Sequence, residues 1–97
     1  MSDVINAAVE ALSSRFSGGF DGVAKFVVEG EGALVIDGDG VRASETDAEA
    51  DVTLTANTDT FKAILEGDMN PTSAFMSGKL AVDGNMGLAM QLGSALA

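Results

Sequence analysis

The chain is 97 residues long, with 5 basic against 15 acidic side chains and a formal net charge of −10. That length allows one domain, 1-97, and that charge excludes recognition of a nucleic-acid backbone and standing adhesion to an anionic membrane. There is no His and no Cys, which removes disulfides, thiolate chemistry, tetrahedral zinc, haem ligation and the Ser-His-Asp and Cys-His nucleophile systems.

Val, Leu, Ile, Met and Phe together supply thirty bulky apolar side chains, enough to fill one core and to leave apolar surface for a ligand. The longest uninterrupted apolar stretches are three or four residues, far short of the ~20 that a spanning helix needs, so no stable membrane insertion is expected. The N-terminal stretch lacks a basic n-region, and the C-terminal Ser-Ala-Leu-Ala is not a peroxisomal address. A soluble, cytoplasmic protein is the resulting expectation.

Residues 3–16 read as an amphipathic helix: Ile5, Val9, Leu12 and Phe16 fall at helical spacing, with Val4, Ala8 and Ala11 widening the stripe. Ser2 or Asp3 caps it and Gly18-Gly19 stops it. Its polar face carries few positive charges, which favours a core-facing role over a partner-binding or membrane helix. Residues 20–30 then alternate as a strand, with Ala24, Phe26 and Val28 on one face and Val23, Lys25, Val27 and Glu29 on the other. Gly30-Glu31-Gly32 connects this strand to a second at 33–37, carrying Leu34 and Ile36 on one side. Asp37-Gly38-Asp39-Gly40 turns into a short strand at 41–45, and residues 50–57 alternate most cleanly, with Val52, Leu54 and Ala56 facing in. The four strands read as an antiparallel meander with one wet face.

Thr58-Asp59 caps a helix whose stripe is Phe61, Ile64 and Leu65 and which Gly67 ends; Asn70-Pro71 opens a shorter one carrying Ala74, Phe75 and Met76 as far as Gly78. A fifth strand, 79–83, places Leu80 and Val82 on one face, and its position between helices allows a parallel pairing by crossover. Gly84-Asn85 leads into a last helix from Met86 to about Leu96. Met86, Met90 and Gly93 share one face of it, Leu88, Leu92 and Leu96 another. A helix apolar nearly all round needs covering on more than one side. The sheet covers one; another helix, a second subunit or a bound apolar molecule covers the other. The order of elements is an α+β layout.

Little in the chain points to catalysis. The acidic stretch 37–51 fails as a calcium loop: counted from Asp37, Arg42 occupies the position of the obligatory Gly and Ala48 that of the bidentate Glu. No carboxylate pair is placed by spacing in an apolar setting, Ser13, Ser14 and Ser73 have no His base, and Gly30-Glu31-Gly32 lacks the Gly-Lys-Ser/Thr of a phosphate loop. No enzyme activity, metal or cofactor is expected. The methionines are more informative: Met69, Met76, Met86 and Met90, with Phe61 and Phe75, all fall in the final 37 residues, and thioethers adapt to irregular apolar guests as well as filling cores.

Residues 75–92, FMSGKLAVDGNMGLAMQL, closely resemble the C-terminal motif of the sterol carrier protein 2 (SCP-2) family. Gly78-Lys79-Leu80, a short strand, Gly84-Asn85-Met86 and an Ala-Met pair within a helix carry the likeness. The upstream stretch ADVTLTANTDTFKAILEGDMNPTSAFMSGKL is similar to the family's strand–helix–helix approach, and with FDGVAKFVV the resemblance covers nearly the whole chain. It implies an α+β fold with a five-stranded, mostly antiparallel sheet covered by helices. It also implies an apolar tunnel for fatty acids, acyl-CoAs, sterols or phospholipids. By position it implies Phe61, Ile64, Leu65, Phe75 and Met76 as ligand-lining residues, with Leu80, Val82, Met86 and Met90 from the last strand and helix. One departure stands out. Where many members carry Gln after the Ala-Met-x-Leu run, this chain has Gly93, which takes away a polar anchor for a head group. The expectation is a non-catalytic lipid carrier. The alternative is an interaction module or enzyme accessory domain, with a homodimer or an enzyme partner on the apolar last helix and no lipid.

Overall fold

Alternation of apolar and polar residues sets the strands, and capping side chains set the helices. The computed structural model describes residues 3–16 and 20–96; the expected Ser2 cap and Gly18-Gly19 stop lie outside them, as does the side chain of Leu96. The elements run α1 (Asp3–Arg15), β1 (Ala24–Val28), β2 (Gly32–Asp37), β3 (Gly40–Ser44), β4 (Val52–Ala56), α2 (Thr58–Glu66), α3 (Pro71–Met76), β5 (Leu80–Gly84) and α4 (Met86–Leu96). This is the expected α+β order.

The sheet has five strands in the order β3-β2-β1-β4-β5. Three of its pairings are antiparallel, but β1 and β4 run parallel, with Phe26 opposite Leu54. The sheet is therefore mixed, and the expected four-strand meander is corrected: β4 lies beside β1 rather than β3. The parallel pair becomes possible because the β2–β3 hairpin and residues 45–51 together form a connection long enough to bring the chain back in the same direction. The fifth strand, expected to admit a parallel pairing, is antiparallel to β4. It approaches β4 closely at its end. Gly84 has φ +110, and a Cβ there would sit 2.5 Å from the carbonyl oxygen of Asp51.

One face of the sheet carries the core. Ala24, Phe26 and Val28 of β1, Leu34 and Ile36 of β2, Val52, Leu54 and Ala56 of β4 and Leu80 of β5 are all buried there. Ile5, Ala8 and Leu12 of α1, with Phe16 beyond it, cover this face. Val9 is half-buried and Ala11 exposed, so the helix presents a narrower stripe than its spacing suggests. Phe61 of α2 packs on Phe26 in a tilted contact with ring centroids 4.6 Å apart, and the Arg15 guanidinium donates to the Leu65 carbonyl at 2.9 Å, tying α1 to α2.

The opposite face is covered in part by the crossover. Lys25 is 7% exposed, and its ammonium donates to the carbonyls of Thr46 and Ala48 at 2.7 Å each. At the crossover's end the Val23 N–H donates to Asp51 Oδ2 at 3.0 Å and the Asp51 N–H to the Val23 carbonyl at 2.9 Å. At the start of α2 the cap is Asn57 rather than Thr58-Asp59: its Oδ1 accepts from the Thr60 N–H at 2.8 Å.

Candidate functional site

The third and fourth helices flank β5 and leave a groove between them. Each part of it follows from local sequence. Asn70 caps α3, its Oδ1 accepting from the Thr72 N–H at 2.8 Å, with Pro71 at the first helical position where its missing N–H leaves nothing unpaired. Pro71 and Ala74 are buried, which anchors one side of this short helix and turns Phe75 and Met76 outward. The Lys79 N–H donates to the Ala74 carbonyl at 2.8 Å, and the chain enters β5 there. Strand alternation then aims Leu80 and Val82 at the helical layer. Asn85 caps α4, its Oδ1 accepting from the Leu88 N–H at 3.1 Å. The fully buried Leu92 fixes the helix's rotation, so that Met86, Ala89, Met90 and Gly93, at i, i+3, i+4 and i+7, form one wall.

The resulting groove has a volume of about 310 Å³, at the small end of the ~300–1,000 Å³ range of small-molecule sites. Leu54 and Leu80 form a buried floor, while Phe75, Met86, Met90 and Met76 line it and are 43%, 47%, 73% and 80% exposed. Among the described residues that line it, Thr72 is the single one with a polar side chain. Four large apolar side chains so exposed and so close together form a patch of the kind that marks a binding surface.

Six of the nine residues named from the resemblance meet here: Phe75, Met76, Leu80, Val82, Met86 and Met90. Phe61, Ile64 and Leu65 do not line the groove. Phe61 and Ile64 are buried in the core, and Leu65 packs against it half-buried. The physical reason is that α2 turns its stripe onto β1 through the Phe61–Phe26 contact. Sequence reasoning missed Leu54, Pro71, Thr72, Ala89 and Gly93 as lining residues. For Ala89 the helical spacing from Met86 was signal enough; for Pro71 and Thr72, whose evident role is to start a helix, there was none. The groove is open along its rim, whereas the resemblance implies a tunnel.

The chemistry available in the groove is that of contact and exclusion of water. Among the described residues no Asp, Glu, Lys or Arg lines it. Among the described residues no group of three or more His, Cys, Asp or Glu is placed to hold a metal ion. The acidic hairpin between β2 and β3 is organised by an ion pair: Arg42 Nη1 and Nη2 donate to Asp37 Oδ1 and Oδ2 at 3.0 and 2.6 Å. That bidentate contact, with the Asp39 N–H as a further donor, holds the Asp37 carboxyl below its usual range and raises Arg42. Among the described residues no helix is long and apolar enough to cross a membrane.

Comparison with known proteins gives this arrangement its context. Residues 7–97 match the SCP-2 sterol transfer family. Sterol carrier protein 2 of Homo sapiens is 46% identical over 65 residues, covering 64% of this chain and 12% of that protein. Hydroxysteroid dehydrogenase-like protein 2 of Bos taurus is 37% identical over 92 residues, covering 95% of this chain and 21% of that protein. The chain thus spans about an eighth to a fifth of the length of these curated relatives. Among solved structures, sterol carrier protein 2 of Aedes aegypti in complex with the C16 fatty acid palmitate superposes with a TM-score of 0.76 at 25% identity, covering 100% of this chain and 97% of that one. A second Aedes aegypti protein, sterol carrier protein 2 like 2, reaches the same TM-score at 20% identity over 94% of each chain, which shows the shared fold. By sequence over nearly its whole length, and by its mixed five-stranded sheet covered by helices, the chain belongs to the SCP-2 sterol transfer family.

Proposed function

We propose that this chain is a non-catalytic, cytoplasmic binding protein for apolar lipids, a single domain whose α3–β5–α4 groove takes the guest's hydrocarbon chain. The observation that carries the reading is a groove lined almost wholly by apolar side chains, with Met76 and Met90 left 80% and 73% exposed at its rim. Methionine adapts its shape at little cost, which suits a guest of variable geometry. The palmitate complex of the Aedes aegypti relative supports the same reading. The guest-contacting residues are Phe75, Met76, Leu80, Val82, Met86 and Met90. Phe61, Ile64 and Leu65 pack in or against the core and take no part in contact with the guest. Each methylene moved from water into the groove stabilises the complex by about 0.8 kcal/mol, and a guest lying along the rim completes the enclosure that the open groove lacks.

The test is native mass spectrometry of freshly purified protein, followed by titration with an environment-sensitive apolar fluorophore. The chain has no Trp and no Tyr, so the optical background is low. An adduct of a few hundred daltons, or saturable emission enhancement, is the expected result. A clean dimer without adducts and unchanged emission, with the fold intact by circular dichroism, rejects the lipid reading in favour of a protein-docking surface.

A further inference from the structure

The groove also bears on which lipid head it accepts. Among the described residues its lining holds no cation, and its one polar side chain is Thr72. The charged residues nearest in sequence do not line it. Residues 70–97 contain a single Lys and a single Asp, Lys79 and Asp83. Asp83 pairs with Thr53 in the strand register, on the sheet face opposite Leu80 and Val82. Lys79 precedes β5 and is exposed outside the groove. Lys62 is exposed on α2, which contributes no lining residue. The entire net charge of −10 therefore resides in residues 1–69.

Those charges are not remote. The molecule measures 31 × 29 × 25 Å, so at about 10 mM salt, where screening extends ~30 Å, every one of them acts on an anion at the groove; at about 1 M the range falls to ~3 Å. An anionic head there meets net repulsion and no compensating partner, whereas a hydroxyl or ester head meets the Thr72 hydroxyl and no electrostatic cost. We infer that the groove selects uncharged lipids, with a hydroxyl or ester head, over carboxylate- or phosphate-headed lipids of the same chain. This rests on the lipid-binding reading above.

The experiment is competition by decan-1-ol and decanoate at pH 8 against an uncharged solvatochromic dye, at low and high salt. Decanol is expected to bind more tightly than decanoate by on the order of tenfold at about 10 mM salt, with the ratio narrowing several-fold by about 1 M. Thr72→Lys, an exposed substitution on the first turn of α3, is expected to tighten decanoate relative to decanol. Equal affinities at low salt, a ratio insensitive to salt, or a Thr72→Lys variant that gains nothing for decanoate overturns the head-group inference while leaving the lipid site standing. Failure of the dye and of both competitors to bind, by folded protein, overturns the lipid site itself.

Discussion

Met90 and Leu54 both line the groove, yet they answer to different physics. Met90 is 73% exposed and Leu54 2%. Truncating Leu54 leaves a cavity in the core and costs about 2–5 kcal/mol, so loss of binding in that variant says little about the groove. Met90→Asp removes almost no buried contact, and its stability should stay within about 0.5 kcal/mol of the parent in urea unfolding. The same change puts a carboxylate into the wall, which the guest's hydrocarbon must desolvate, and guest affinity should fall by about tenfold or more. Met76→Asp, at 80% exposure, makes the same separation of stability from binding on the other wall. Parallel loss of stability and binding in both variants would show that the methionines are structural.

Lys25 shows how one residue decides the behaviour of a whole element. Residues 45–51 have no regular structure of their own, and the Lys25 ammonium holds them through the carbonyls of Thr46 and Ala48. Lys25→Met preserves the stem's packing but leaves both carbonyls without this donor, at a cost of about 1–3 kcal/mol. Amide exchange of residues 45–50 should accelerate more than that of the β1–β2 pair. Uniform acceleration across the sheet would mean that the lysine serves global stability rather than the crossover.

The limits of what a sequence displays lie at this same scale. The inward set Val52, Leu54 and Ala56 reads identically whether β4 pairs with β3 or with β1, because alternation encodes a face and not a neighbour. The fifth strand's direction was equally invisible. The helices were legible nearly to the residue, since Gly67, Asn70, Pro71 and Asn85 mark their ends by capping chemistry. The groove was half legible. The apolar runs at Phe61–Leu65 and Phe75–Met76 look alike, and only packing against Phe26 separates a buried helix face from an open rim. Lys25 gave no sign of burial, because its partners are backbone carbonyls that no side-chain pattern announces.

At the scale of the molecule, self-repulsion dominates the electrostatics. Five bases cannot neutralise fifteen acids, and one base, Arg42, is already committed to Asp37 at the tip of a hairpin. Screening therefore has little attraction to remove and much repulsion to relieve. The unfolded chain carries the same charges spread over a larger volume, so salt stabilises the compact state more than the open one. Raising sodium chloride from about 10 mM to 150 mM shortens the screening length from ~30 to ~8 Å, well inside the 25 Å shortest dimension of the fold. The thermal midpoint should rise by several degrees over that interval, since about 1 kcal/mol shifts a domain of this size by ~4–8 °C. Most of the rise should come before 150 mM, where the change in screening length is greatest relative to the size of the molecule, with a smaller increment to 500 mM. A midpoint that falls with salt would show that attractive pairs outweigh repulsion despite the composition.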